Sequence, residues 1–210
     1  WTGKKVTGQH YGTINLKKGT IELEDGVIKS GVFEMDMNSI VNEDLKNSAI
    51  NKKLVDHLKS DDFFSVNEHP VSTLIVKEVK ALNESELIFL GDLTIKGITK
   101  PVTFKALVRY DNEKLTASGS IEIDRTLYNI RYGSGKFFAS LGDNMIYDTF
   151  TLDFSVVANN VSDKELTDLI NSEEKYYLLQ LVFLVRVDRH ACRCNIKAFD
   201  IAGINSGTKG

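Results

Sequence analysis

The chain has 210 residues, of which 42% are hydrophobic and 26% charged, with a formal net charge of −3. Such a composition is that of an ordinary globular protein, and the length suits one large β domain, or a medium domain with an appendage. The slightly acidic balance supplies no basic footprint for nucleic acid and does not favour docking on anionic lipid headgroups.

The first run, His10 to Leu16, alternates, with Ile14 and Leu16 on one face and Thr13 and Asn15 on the other. Gly19 is expected to end it. Thr20 to Leu23 reads as the next run, with Ile21 and Leu23 aligned. Asp25-Gly26 is a hairpin-turn signal. Val32 to Met37 follows, with Phe33, Met35 and Met37 on one face.

The period then changes. Leu54, Val55 and Leu58 stand at helical spacing between Asn51 and Ser60, with Asn51 or Ser48 as the expected N-cap. Asp61 and Asp62 are expected to face solvent, while Phe63 and Phe64 anchor this insertion.

Strands resume at Ser72–Val79, where Leu74 and Val76 share a face, and at Glu86–Ile95, where Phe89, Gly91, Leu93 and Ile95 do so. Val102–Tyr110 aligns Phe104 and Ala106, Leu115–Ile123 follows, and Tyr147–Val157 aligns Phe150, Leu152 and Phe154. About eight strands with short turns and one helix argue for an all-β antiparallel barrel or sandwich.

The alternation stops at Asn159–Asn160. Ser162 and Glu165 fit a capping box before a short helix through Ile170. Tyr176 to Val185 is an uncharged apolar run, and Ala202 to Gly210 is rich in Gly and Ser. Residues 159–210 are therefore expected to be an extension, partly helical or disordered. An exposed sheet edge or the apolar run near Val182 would favour association, and a homodimer is one expectation. The longest apolar stretch, Tyr176–Val187, contains Gln180 and Arg186 and falls short of the roughly 18 residues of a membrane-spanning helix, so no stable membrane insertion is expected.

Five segments carry a family resemblance. The strongest is Gly91-x-Leu93-Thr94-Ile95-x-Gly97-Ile98-Thr99-Lys100-Pro101-Val102. The others are His10-x-Gly12, Met35-Asp36-Met37-x-Ser39-Ile40, His57-Leu58-Lys59-Ser60-x-Asp62-Phe63-Phe64 and Ile123-Asp124-Arg125-Thr126. In this order they make residues 1–158 resemble the YceI-like family. The resemblance implies an eight-stranded lipocalin-like barrel with a helical insertion. It further implies binding of an isoprenoid lipid or isoprenoid quinone inside, and export to the periplasm or beyond. Trp1 in place of Met is compatible with a removed secretory signal.

The inward positions of such a barrel predict the nature of its contents. Ile14, Phe33, Met35, Leu74, Val76, Phe89 and Leu93 are apolar, as are Ile95, Phe104, Ala106, Phe150, Leu152 and Phe154. They offer area and few hydrogen-bond partners, so an apolar chain is favoured and an unpaired polar group would cost roughly 1–3 kcal/mol. The same faces would equally serve a structural or stress-related barrel filled by its own side chains. For a headgroup, His10, Arg125 and Arg131 are the candidate polar mouth, Arg being suited to phosphate or quinone oxygen. Arg125 has a second reading, pairing with Asp124 or with backbone carbonyls.

No nucleophile elbow, P-loop or dinucleotide loop is present, and no paired acid and base fall on the inward faces, so no enzyme and no cofactor are expected. Gly133-Ser134-Gly135-Lys136 lacks a Ser or Thr after Lys136 and reads as a glycine turn. His190-x-Cys192-x-Cys194 is the one local cluster of soft ligands, without a second pair, and no metal site is expected from it. The chain's two cysteines both lie there, so the main domain needs no disulfide.

Overall fold

Asp25 and Gly26 turn the chain back on itself with positive φ at both positions, 52° and 75°, the geometry a two-residue hairpin of matching twist requires. Lys96 and Gly97 repeat it with φ of 53° and 72°. Between such turns the alternating runs pair with their sequence neighbours. The computed structural model describes residues 1–111, 114–160 and 191–196.

Eight antiparallel strands form one ring-like sheet. They are β1 (Thr2–Lys5), β2 (Gly8–Glu24), β3 (Val27–Asn42), β4 (Val71–Ala81), β5 (Glu86–Ile95), β6 (Ile98–Asp111), β7 (Lys114–Asp124) and β8 (Ile146–Asn160). Each pairs with the next, and β1 also pairs with β8, which closes the ring. The helix α1 (Ser48–Lys59) stands between β3 and β4, and a 3₁₀ turn spans Arg125–Tyr128 after β7. A further strand, β9 (Ala191–Ile196), pairs antiparallel with Gly19–Glu24 of β2 and with the end of β8. The expected helix through Ile170, the run Tyr176–Val185 and the end 202–210 lie outside the described residues.

Two local expectations are corrected. Gly19 does not end a strand: β2 runs through it, and Gly19 pairs with Phe33. A bulge between Leu16 and Lys18 carries the chain across. Before the bulge the even positions Gly12, Ile14 and Leu16 turn inward; after it the odd positions Gly19, Ile21 and Leu23 do. One extra residue shifts the side-chain period and keeps both halves facing the core. The helix is capped neither by Asn51 nor by Ser48 but by Asn47, whose side chain accepts from Ala49 N and Ile50 N at 3.0 and 3.1 Å. Asn51 instead donates to the carbonyls of Asn42 and Leu45 and ties the helix to the end of β3.

Gly91 shows why the strongest motif needs a glycine. A bulge between Val76 and Glu78 brings β4 close, so that a Cβ on Gly91 would lie 2.3 Å from the carbonyl oxygen of Ile75. Gly91→Ala should therefore cost about 1–3 kcal/mol in urea unfolding. Gly3→Ala, where nothing lies within 4 Å of the new Cβ, should change stability by less than about 0.5 kcal/mol. Equal stability of the two variants would show that β4 moves aside freely.

Candidate functional site

The inside of the barrel is not uniform. At one end Phe89 and Phe104 stack with centroids 5.2 Å apart, and Phe104 meets Phe154 edge-on at 5.7 Å. Phe154 also lies over Gly119, its partner across β7 and β8. Val76, Ala106, Val108, Leu115 and Ala117 are buried around this cluster. The side chains of this end fill it themselves.

The other end holds a cavity of about 120 Å³. Ile14 of β2, Met35, Met37 and Ile40 of β3, Leu93 and Ile95 of β5 and Phe150 and Leu152 of β8 supply much of its wall. Leu58, Phe63 and Phe64 of the insertion also line it. The segment after α1 is folded by backbone bonds from Phe64 N to Leu58 O and from Val66 N to Lys59 O, at 3.1 and 2.9 Å. Asp61 and Asp62 stay exposed while Phe63 is buried, the arrangement expected from the sequence. Polar side chains on the lining are few, and Ser72 already donates to the Thr94 carbonyl at 2.7 Å.

The candidates separate accordingly. Ile14, Met35, Leu93, Ile95, Phe150 and Leu152 line the cavity. Leu74, Val76, Phe89, Phe104 and Ala106 are buried in the packed core, with Phe33 and Phe154 packed against it. Of the polar candidates only Arg125 touches the cavity. His10 Nδ1 lies 2.8 Å from Asp44 Oδ2 and ties β2 to the segment before α1. The Arg131 guanidinium stacks over Phe137 at 4.6 Å.

Arg125 is 4% exposed, and its surroundings explain its place. Between Gly3 and Lys5 the register of β1 with β8 slips, because Gly3 pairs with Phe150 and Lys5 with Ile146. The bulged residues Tyr147–Thr149 lose their ladder partners there. Arg125 fills the gap: Nε donates to Tyr147 O at 3.0 Å, Nη2 to Ile146 O at 3.1 Å and Nη1 to Ile130 O at 2.8 Å. Three of the five guanidinium N–H groups are thus used on backbone carbonyls. Burial lowers the Arg125 pKa, and the nearby carboxylates of Asp148 and Asp124 oppose this. The backbone-carbonyl reading of Arg125 describes its contacts.

Asp124 has a different task. Its Oδ1 accepts from Thr126 N at 2.9 Å and Thr126 Oγ1 at 2.6 Å, capping the 3₁₀ turn, and its Oδ2 accepts from Lys136 Nζ at 2.9 Å. Lys136 also lies 3.4 Å from Asp148 Oδ2. Its ammonium is therefore engaged by carboxylates, and Gly133, with φ of 62°, and buried Ser134 form a turn, as the sequence suggests. Among the described residues no group of His, Cys, Asp or Glu could hold a metal ion; His190 lies outside them.

Leu58, Phe63, Phe64 and Ile40 are lining residues that strand periodicity does not indicate. The first three belong to an insertion whose fold-back is a tertiary event. Ile40 follows a bulge in β3, where Asn15 pairs with Asp36 but Thr13 pairs with Val41, so counting by two from Met37 misses it.

A family model described as the YceI-like domain matches residues 1–158. The chain belongs to the YceI-like family. A UPF0312 protein of Shewanella denitrificans is 32% identical over 95 residues, which cover 45% of this chain and 47% of that one. The UPF0312 protein PA0423 of Pseudomonas aeruginosa is 50% identical over 50 residues, 24% of this chain and 26% of its own. The matched segments thus span about a quarter to a half of these relatives. Among solved structures, a Campylobacter jejuni YceI protein superposes with a TM-score of 0.54 at 21% identity, covering 71% of this chain and 85% of that one. Burkholderia cenocepacia BcnA does so with a TM-score of 0.51 at 19% identity, covering 69% and 96%. At these identities the likeness is one of fold. YceI-like proteins are known as polyisoprenoid-binding barrels and are not a known enzyme family.

Two tests follow from the contacts around the site. Arg125→Met should destabilise the YceI-like barrel by at least about 3 kcal/mol, roughly 1 for each stranded carbonyl; unchanged denaturant unfolding would refute the staple role. Asp44 is disfavoured as an anion by burial, yet the bonds from His10, Tyr11 N–H and Asn42 outweigh this and lower its pKa to about 2. A depressed carboxylate pKa stabilises the fold above the unfolded value of 3.8, and that contribution is lost as pH falls towards about 2. Asp44→Asn should remove this part of the acid-unfolding slope, and an identical slope in variant and parent would count against it.

Proposed function

We propose that the barrel binds, and carries or sequesters, a long apolar lipid of the polyisoprenoid or isoprenoid-quinone class. The observation that supports this most directly is the cavity itself, walled by aliphatic, Met and Phe side chains. Among the described residues Arg125 is the one buried charged side chain, and it is bonded to backbone. A polar ligand would lose water there without recovering hydrogen bonds. Each five-carbon prenyl unit contributes up to roughly 3 kcal/mol gross on burial, from which losses of ligand freedom subtract. No catalytic step is needed for this role, and its setting would be the periplasm or the cell exterior.

The competing reading, an interaction barrel filled by its own side chains, draws support from the Phe89, Phe104 and Phe154 cluster. That packing occupies one end, whereas the cavity occupies the other. Solvent extraction of the purified protein followed by mass spectrometry separates the two. Carriage predicts a prenyl lipid at near-equal stoichiometry, or uptake of added polyprenol. Leu152→Trp, which fills the cavity, should reduce uptake by about tenfold or more, given 1.5–3 kcal/mol for displaced apolar contact. Phe104→Leu, in the packed end, should lower stability and leave uptake within about twofold. A blank extract with no uptake by the parent protein defeats carriage.

A further inference from the structure

We propose that the helical insertion is the gate of the cavity, and that the rings of His57, Phe63 and Tyr132 are the latch that closes it. This rests on the reading of the cavity as a lipid site and names the seam through which the lipid passes.

A cavity of about 120 Å³ is small beside the roughly 300–1,000 Å³ of pockets that enclose drug-sized ligands. A chain of several prenyl units therefore needs a wall to give way. Most wall residues belong to strands of the ring, which are held to their neighbours by ladder bonds. At the packed end the rings of Phe89, Phe104 and Phe154 interlock. Leu58, Phe63 and Phe64 differ, because they stand on a segment outside the sheet, and no residue of α1 is buried.

This segment is fixed at both ends and more loosely held between them. At its start Asn51 donates to the carbonyls of Asn42 and Leu45. At its end Val66, 2% exposed, packs with Met37 and Ile40, and Met37 N donates to Pro70 O at 3.0 Å. Just before Val66 the chain reverses at Ser65, whose φ of 46° lies in the left-handed region. Between the ends, Lys59 Nζ donates to Asn38 O and Lys96 Nζ to Asp61 O, both at 2.6 Å and both open to water. Phe64 meets Phe150 of β8 edge-on at 6.2 Å. Few buried contacts and solvent-exposed bonds mark a segment that opens locally before the rest of the fold.

The seam lies where the insertion meets the stretch between β7 and β8. His57 and Phe63 meet edge-on with centroids 4.9 Å apart, and Tyr132 touches both, at 4.5 and 5.6 Å. Tyr132 is the fixed jamb, because Ile130 and Ser134 on either side of it are both 0% exposed. Directly inside the latch, Phe63 lies 6.0 Å from the Arg125 guanidinium, and both line the cavity. Arg125 stays with the frame, since it is bonded to the carbonyls of Ile130, Ile146 and Tyr147. His57 and Tyr132 are partly exposed and do not line the cavity, so they act on passage and not on the bound chain. Edge-on ring pairs are favourable yet individually weak, which closes the seam without locking it. Parting Phe63 from Tyr132 opens a passage lined by rings and leaves every ladder bond of the barrel in place.

The test follows the rate at which the full chain takes up added polyprenol. Tyr132→Ala should speed uptake about threefold or more and leave the amount bound at saturation within about twofold. Tyr132→Phe, which keeps the ring, should match the parent. A second variant carries His57→Cys and Tyr132→Cys, with Cys192→Ser and Cys194→Ser to remove the native thiols. Joining its two new thiols with a reducible bis-maleimide should slow uptake about tenfold or more, and reductant should restore it. Equal rates with the link intact and cut overturn the proposal, as does a parental rate in Tyr132→Ala. Spin labels on Asp61→Cys and Asp143→Cys, both exposed positions, give a readout without lipid in the same Ser background. Tyr132→Ala should add a population at longer distance between the labels. If the parent takes up no polyprenol, the carriage reading falls and the label distances decide the gate alone. An added long-distance population then sustains it, and an unchanged distribution overturns it.

Discussion

A sheet that closes on itself must give every strand two neighbours, and at the cavity end that requirement falls on the four residues of β1. Thr2–Lys5 pairs with β2 on one side and β8 on the other, and no other strand joins those two at this end. Without that bridge β2 and β8 would face each other with unpaired N–H and C=O groups at the cavity end, although β9 pairs with both at the opposite end. The pairing is imperfect, since β8 carries extra residues opposite Lys4. At that slip the buried guanidinium of Arg125 donates to the carbonyls of Tyr147 and Ile146, where the ladder is interrupted.

From closure follows the division of the interior. An eight-stranded barrel has room either for its own side chains or for one small ligand, and this one does each at a different end. The bulky rings of Phe89, Phe104 and Phe154 sit against small neighbours, Ala106 and Gly119, which lets them interlock. At the far end the wall is Met, Ile and Leu, and the insertion folds over it with Phe63 and Phe64. Flexible Met side chains suit a wall that meets a long, irregular ligand. The opposite end gains rigidity from ring packing, and the hollow end is held by polar devices, Asn47, Asn51, Asp44 with His10, and Arg125 with Asp124.

The strands themselves were legible in the sequence because alternation is a local property: a half-buried strand must place every second side chain inside. Hairpin turns were legible at Asp25-Gly26, where positive φ leaves a narrow choice of residues. Family membership was legible too, since the five motifs occur in order. Bulges were not. A single extra residue at Lys17, or the wider slip beyond Asp36, reverses the inward parity without leaving a compositional mark, so Gly19 read as a stop and Ile40 went unnoticed.

The amino-acid sequence by itself determined the all-β antiparallel class, the one helical insertion, the family resemblance over residues 1–158 and an apolar interior, because each rests on period, turn chemistry or an ordered set of motifs. Only the tertiary structure decided which of the inward faces pack against one another and which enclose space. Thirteen inward positions have the same apolar character in the sequence, and six of them line the cavity. The difference arises from ring size, strand stagger and the placement of the insertion, which are relations between distant segments. The same holds for Arg125: an arginine in a motif suits a headgroup or a backbone staple equally, and the bulge in β8 decides which carbonyls stand within its reach.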